Sequence, residues 1–114
     1  MPASGNIISL DDVNIPFSLE AEQAVLGSVL SEPECLSQVM VLVKPEYFYM
    51  PAHRSIFLIM QEIDAVGGKV DPLIVLEKLK NDKVYDDAGG KNYLYQLAQS
   101  VPSTENVESY CKII

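Results

Sequence analysis

Residues 16–27, with the sequence PFSLEAEQAVLG, constrain the fold of this chain more than any other segment. Ser18 can cap a helix with its hydroxyl, and Glu20 and Glu22 place negative charge in the first turn, where the helix dipole favours it. Apolar residues then recur at helical spacing, at Ala21, Val25, Leu26, Val29 and Leu30. The segment therefore predicts an extended lead-in followed by a helix over residues 19–30 with one apolar face.

The middle of the chain repeats this helical pattern between proline and glycine breaks. A second helix follows Pro33, because proline suits a first-turn position. A long helix is predicted over residues 52–66, and it ends at Gly67, where a left-handed C-terminal cap favours glycine. Asp71 is then predicted as an N-cap, with Pro72 at the first position of the next helix.

Two more helices complete the predicted fold. One covers residues 91–101 and ends before Pro102, and the last starts at a cap on Ser103 or Thr104. No strong strand pattern alternates with these helices, so the predicted fold class is all-α, a compact bundle of about six short helices. Residues 1–15 show no sustained period and are predicted to form a flexible tail.

Size and charge narrow the classes of function. The 114 residues, 48% of them hydrophobic, suit one domain with one core, which we place at residues 16–114. The net charge of −8 argues against direct tight binding to DNA, because there is no basic surplus to release counterions from a phosphate backbone. The last predicted helix has no terminator at Ile114, so the chain is expected to be a piece of a longer protein.

The cysteines and the N-terminus bear on localisation. Cys35 and Cys111 follow no metal or redox spacing, which favours two reduced thiols in a cytosolic core and leaves a disulfide as the alternative. The amino terminus has no basic region and no apolar run typical of a signal peptide or a membrane span. We therefore expect a cytoplasmic protein without membrane contact.

Neither Gly-Gly-Lys sequence fits a phosphate-binding loop. These sequences occupy residues 67–69 and 89–91, and Val70 and Asn92 follow the lysines where a P-loop has Ser or Thr. The earlier glycine of a P-loop is also missing. Both sequences are predicted to be helix ends and turns, so no cofactor-binding residue is predicted.

His53 is the only histidine in the chain. It lies beside Ile56, Phe57 and Met60 on a helical wheel, so it belongs to an apolar stripe. A packed histidine with one hydrogen-bonded nitrogen is the ordinary interpretation, and a general base is the alternative. No nucleophile motif or ligand spacing accompanies it, and we predict neither catalytic nor metal-binding residues.

Three side chains are predicted to contact a protein partner: Tyr93, Tyr95 and Leu58. Tyr93 lies at the edge of the apolar stripe of its helix, where a ring can pack on Leu97 with one face and meet a partner with the other. Tyr95 falls outside that stripe, and Leu58 points away from the apolar face of the long helix. The alternative is ordinary: Tyr93 is a core residue, and a single exposed apolar side chain needs no explanation.

Five segments together carry a family resemblance. They are residues 16–27, 45–49 (PEYFY), 53–57 (HRSIF), 89–94 (GGKNYL) and 101–106 (VPSTEN). Each is modest by itself, but their order and spacing resemble the amino-terminal domain of the bacterial replicative DNA helicase of the DnaB type. The resemblance covers residues 15–114.

The resemblance implies an assembly and docking role in DNA replication. It implies a collar of six such domains on a hexameric helicase, which binds the helical carboxy-terminal domain of primase in the primosome, with the helicase loader as a further candidate partner. ATP and Mg²⁺ belong to the family's motor domain, which this chain lacks, so the chain itself is expected to have no catalytic site and to be a monomer or weak dimer. Tyr93 occupies a position that resembles the primase-facing surface. The alternative function is an independent all-α protein-binding or regulatory domain with no motor attached.

Overall fold

The computed structural model describes the backbone of residues 7–81, 90–99 and 106–114, and the side chains of residues 19–80, 92–99 and 106–114. Six α-helices are present in these ranges: α1 (Ile7–Ser31), α2 (Leu36–Leu42), α3 (Pro51–Ala65), α4 (Pro72–Asn81), α5 (Gly90–Gln99) and α6 (Val107–Ile113). Short 3₁₀ turns at Pro33–Cys35 and Pro45–Tyr47 precede α2 and α3. No strand occurs in the described ranges, and the predicted all-α fold is confirmed.

The first helix begins earlier than predicted. It starts at Ile7, so Pro16 and Ser18 lie inside the helix, and Ser18 is not its N-cap. Proline removes one backbone hydrogen bond and either bends or ends a helix, so it is expected at a boundary; here the helix continues through Pro16. The backbone of residues 7–15 is therefore helical, and the flexibility of the predicted tail stays a prediction.

The helix end at Gly67 and the helix start at Asp71 form as predicted. Gly67 has a φ of +77°, and the N–H of Gly68 donates to the carbonyl of Ile63 at 2.9 Å, which closes α3 with a left-handed cap. The Asp71 carboxylate accepts a hydrogen bond from the backbone N–H of Ile74 at 2.9 Å, so Asp71 is the N-cap of α4. Residues 86–90 are predicted from the sequence as a loop, but α5 begins at Gly90; residues 86–89 and the predicted cap at Ser103 or Thr104 lie outside the described residues.

The core forms around α1, which packs against α3, α5 and α6. α2 packs on α6, and α4 packs on both α3 and α5. The fully buried side chains at the centre come from α1, α2, α3, α4 and α5: Val25, Leu26, Val29, Val39, Ile56, Phe57, Met60, Val75, Leu79 and Leu94. On α2, Leu36 and Val39 are buried, whereas Met40 is 38% exposed.

Candidate docking site

His53 is fully buried near the start of α3 and uses both ring nitrogens. Its Nδ1 lies 2.7 Å from Oε1 of Glu22 on α1, and its Nε2 lies 2.6 Å from the hydroxyl oxygen of Tyr93 on α5. The packed-histidine prediction is therefore correct in its main point, but both nitrogens are bonded rather than one. The ring joins three helices that are separated in sequence.

Glu22 is buried although it is a carboxylate, with 1% of its surface exposed. Its oxygens accept hydrogen bonds from the backbone N–H groups of Tyr49, at 2.6 Å, and Met50, at 3.3 Å, in addition to the contact with His53. These donors lie at the N-terminus of α3, where the helix dipole favours negative charge. Several donors offset the cost of burying the carboxylate, so Glu22 serves as the cap of a helix other than its own.

Tyr93 is half-buried and held through its hydroxyl. Its ring lies nearly parallel to that of His53, with 5.9 Å between centroids and 5° between planes, and the 2.6 Å contact between the hydroxyl and Nε2 places the two rings side by side. The hydroxyl accepts a hydrogen bond from Nε2 of Gln23 at 3.2 Å. Burial raises the pKa of the Tyr93 hydroxyl, the Gln23 hydrogen bond opposes that rise, and the negative charge of Glu22 adds to it. The tyrosine at the predicted edge of the stripe thus meets His53 through its hydroxyl.

Each hydrogen bond in this cluster can be assigned one donor and one acceptor. An ionised Glu22 can only accept, so His53 donates through Nδ1. In the neutral imidazole Nε2 then carries a lone pair, the Tyr93 hydroxyl donates to it, and the hydroxyl oxygen accepts from Gln23. Among the described residues, no buried side-chain nitrogen or oxygen lacks a partner. We refer to Glu22, Gln23, His53 and Tyr93 as the polar cluster.

The other two predicted contact residues lie outside the polar cluster. Tyr95 on α5 is 40% exposed and Leu58 on α3 is 47% exposed, so both side chains reach the surface. The structure therefore separates the three candidates: Tyr93 is tied to the interior, whereas Tyr95 and Leu58 are solvent-facing. Their partner contacts stay predictions.

Sequence reasoning missed Glu22 and Gln23 as members of a site. Glu22 was interpreted as first-turn charge on α1, yet it precedes Val25 by three residues and Leu26 by four, which puts it on the buried face of the helix. A carboxylate on one apolar stripe and a lone histidine on another is the signal that could have paired them.

The thiols and carboxylates elsewhere show no comparable arrangement. Both Cys35 and Cys111 are free thiols, and burial raises the pKa of each to about 11, with nearby acidic residues adding to the rise. No group of three histidine, cysteine, aspartate or glutamate side chains in the described ranges could hold a metal ion. None of the described helices is both long and apolar enough to cross a membrane.

The protein is an all-helical domain in which the buried polar cluster joins α3 to α1 and α5. Residues 14–114 match the DnaB-like helicase N terminal domain family. A solved structure, the N-terminal domain of DnaB helicase from Mycobacterium tuberculosis, is similar with a TM-score of 0.80 and 30% identity, over 83% of this chain and 66% of that one.

Two curated relatives agree with this match. The replicative DNA helicase DnaB of Geobacillus stearothermophilus is 40% identical over 99 residues, which are 87% of this chain and 22% of that protein. The replicative DNA helicase DnaC of Bacillus subtilis (strain 168) is 36% identical over 105 residues, 92% of this chain and 23% of that protein. The chain belongs to the DnaB-like helicase N-terminal domain family, and it spans less than a quarter of the length of these relatives.

Proposed function

We propose that this chain is the assembly and docking domain of a hexameric replicative DNA helicase. In this role it contributes to an N-terminal collar and binds primase during DNA replication. The observation that carries the proposal is the family match over residues 14–114, together with relatives that are named replicative DNA helicases.

The activity of the whole helicase is part of the same proposal. ATP-dependent unwinding, with its bound ATP and Mg²⁺, is assigned to the motor portion of such a protein rather than to this chain. The protein would act in the cytoplasm, with the helicase loader as a second partner. The net charge of −8 favours a protein partner over DNA for this domain, because phosphate would be repelled.

Tyr93 is the residue we propose for the primase contact. It is half-buried at the rim of α5, so part of its ring faces outward while the rest is held by His53. A tyrosine held in this way gives a partner a large contact area at low entropic cost. The hydroxyl is already engaged by His53 and Gln23, so the outward part of the ring is what a partner would meet.

Calorimetric titration of the 114-residue chain with the carboxy-terminal domain of its cognate primase tests this function. We expect Tyr93→Ala to weaken binding about tenfold to a hundredfold, as for an interface anchor worth about 1–3 kcal/mol. Tyr47→Ala is the matched control, because Tyr47 is a 49% exposed tyrosine on another element. Melting temperatures of both variants show whether the protein remains folded.

The runner-up function is an independent all-α binding or regulatory domain. It would be favoured by a folded chain that does not bind primase. Equal primase affinity of the Tyr93→Ala variant and the unsubstituted chain would instead remove Tyr93 from the interface while leaving the docking role in place.

A further inference from the structure

We propose that Glu22 and His53 are positioning residues for Tyr93, which set its ring in one orientation before the partner arrives. This inference rests on the proposed docking function and adds to it the buried device that prepares the contact. Neither Glu22 nor His53 can touch a partner, since they are 1% and 0% exposed. Any effect they have on partner binding must therefore pass through the residues they hold, of which Tyr93 is the proposed contact.

Hydrogen bonds at the hydroxyl hold the Tyr93 side chain. The tyrosine ring lies side by side with that of His53, with 5° between their planes and 5.9 Å between their centroids. The hydroxyl is held at 2.6 Å by Nε2 of His53 and at 3.2 Å by Gln23, which restricts the swing of the whole side chain. A side chain that is already ordered loses less conformational entropy on binding, which strengthens association.

Glu22 holds His53 in turn. Its carboxylate bonds Nδ1 at 2.7 Å and is itself held by the Tyr49 backbone N–H at 2.6 Å. The bond at Nδ1 fixes the ring rotation and leaves Nε2 directed at Tyr93. A continuous series of hydrogen bonds therefore connects the N-terminus of α3, through Glu22 and His53, to Tyr93 on α5.

Two substitutions of His53 separate positioning from packing. The amide of asparagine reaches about as far as Nδ1, so His53→Asn can keep the bond to Glu22 while it loses Tyr93. The longer glutamine amide reaches about as far as Nε2, so His53→Gln can keep the bond to the Tyr93 hydroxyl while it loses Glu22. The two variants differ by one methylene group. His53→Asn keeps the bond to Glu22, whereas His53→Gln keeps the bond to Tyr93.

Primase affinity should separate the two variants. We expect His53→Asn to weaken primase binding about threefold to tenfold, the effect of leaving one side chain to be ordered at the interface. His53→Gln should bind within about twofold of the unsubstituted chain and yet melt at a lower temperature, because the buried Glu22 loses a donor. If His53 has only a structural role, both variants should keep the primase affinity of the unsubstituted chain as long as they remain folded.

A double substitution completes the test. In a Tyr93→Ala background, His53→Asn should change primase affinity less than about twofold, since there is no ring left to position. Tyr93→Phe keeps His53 and Glu22 in place and removes only the hydroxyl tether, and it should weaken binding about threefold to tenfold even if the His53 variants do not fold.

The outcomes distinguish this inference from the proposed function. If the unsubstituted chain binds primase and Tyr93→Ala weakens that binding, but His53→Asn and Tyr93→Phe bind normally, the positioning role is overturned and the docking function stands. If the unsubstituted chain does not bind primase, or Tyr93→Ala binds normally, the Tyr93 contact fails and the positioning role fails with it.

Discussion

The starts of α3 and α4 look alike in sequence but are capped in different ways. Each helix begins with a proline, Pro51 or Pro72. At α4 the cap is local, since Asp71 binds the N–H of Ile74 three residues later. At α3 the local position is Met50, which makes no side-chain cap bond, and Glu22 binds the N–H of Tyr49 from 27 residues away.

This difference shows what a distant cap adds. A local cap satisfies one helix end and can form whenever that helix forms. A cap supplied by another helix forms only in the folded protein, and here it also fixes His53 and thereby α5. Loss of the Asp71 carboxylate should remove one helix cap. Loss of the Glu22 carboxylate should remove a helix cap and also the contacts that join α1, α3 and α5.

The largest effect is expected at the distant cap. Glu22→Gln conserves shape but replaces one carboxylate oxygen by an NH₂ group that faces N–H donors, so we expect a loss of about 2–4 kcal/mol in the free energy of unfolding. Urea denaturation measures this, with Glu20→Gln as the control because Glu20 is exposed on the same helix. A Glu22→Gln loss as small as that of the control would erase the distinction between the two helix starts.

A smaller effect is expected at the local cap. Asp71→Ala should lower the free energy of unfolding by about 1 kcal/mol, because one backbone N–H of α4 exchanges its carboxylate partner for water. Glu77→Ala, an exposed change on the same helix, should stay within about 0.5 kcal/mol. Thermal melts resolve this difference, since about 1 kcal/mol shifts the melting temperature of a domain of this size by about 4–8 °C. An Asp71→Ala loss equal to that of Glu22→Gln would mean that distance in sequence is irrelevant to the cost.

The smallest effect is expected where a local cap is added to α3. Met50→Ser, compared with Met50→Ala to remove the change in packing, should add less than about 0.5 kcal/mol, because Glu22 already binds this helix end. In the Glu22→Gln background the same comparison should recover about 0.5–1 kcal/mol. Complete recovery in that background would show that Glu22 is only a cap and not also the holder of His53.

Much of the fold could be predicted because its signals are local. The helix end at Gly67 and the start at Asp71 depend on residues within one turn, and both formed as predicted. Apolar periodicity likewise placed Leu26 and Phe57 in the core. The start of α1 was wrong because proline and the loss of periodicity indicate a boundary, whereas a helix that packing already holds can continue past both.

The candidate site was only half predictable. The position of His53 on a buried stripe and of Tyr93 at the edge of its helix follow from the period of 3.6 residues. Their contact with each other spans 40 residues, and the contact of His53 with Glu22 spans 31. Periodicity states which face of a helix is buried but not which face of another helix it meets.

From the sequence alone it could be predicted that the chain is helical, that breaks occur at Gly67 and Asp71, and which residues form much of the core, because these depend on interactions between near neighbours in the chain. Only the tertiary structure decided that Glu22 caps α3 and that His53 links it to Tyr93. The physical reason is that a buried carboxylate is stable only where several donors converge on it, and those donors come together only when α1, α3 and α5 have packed.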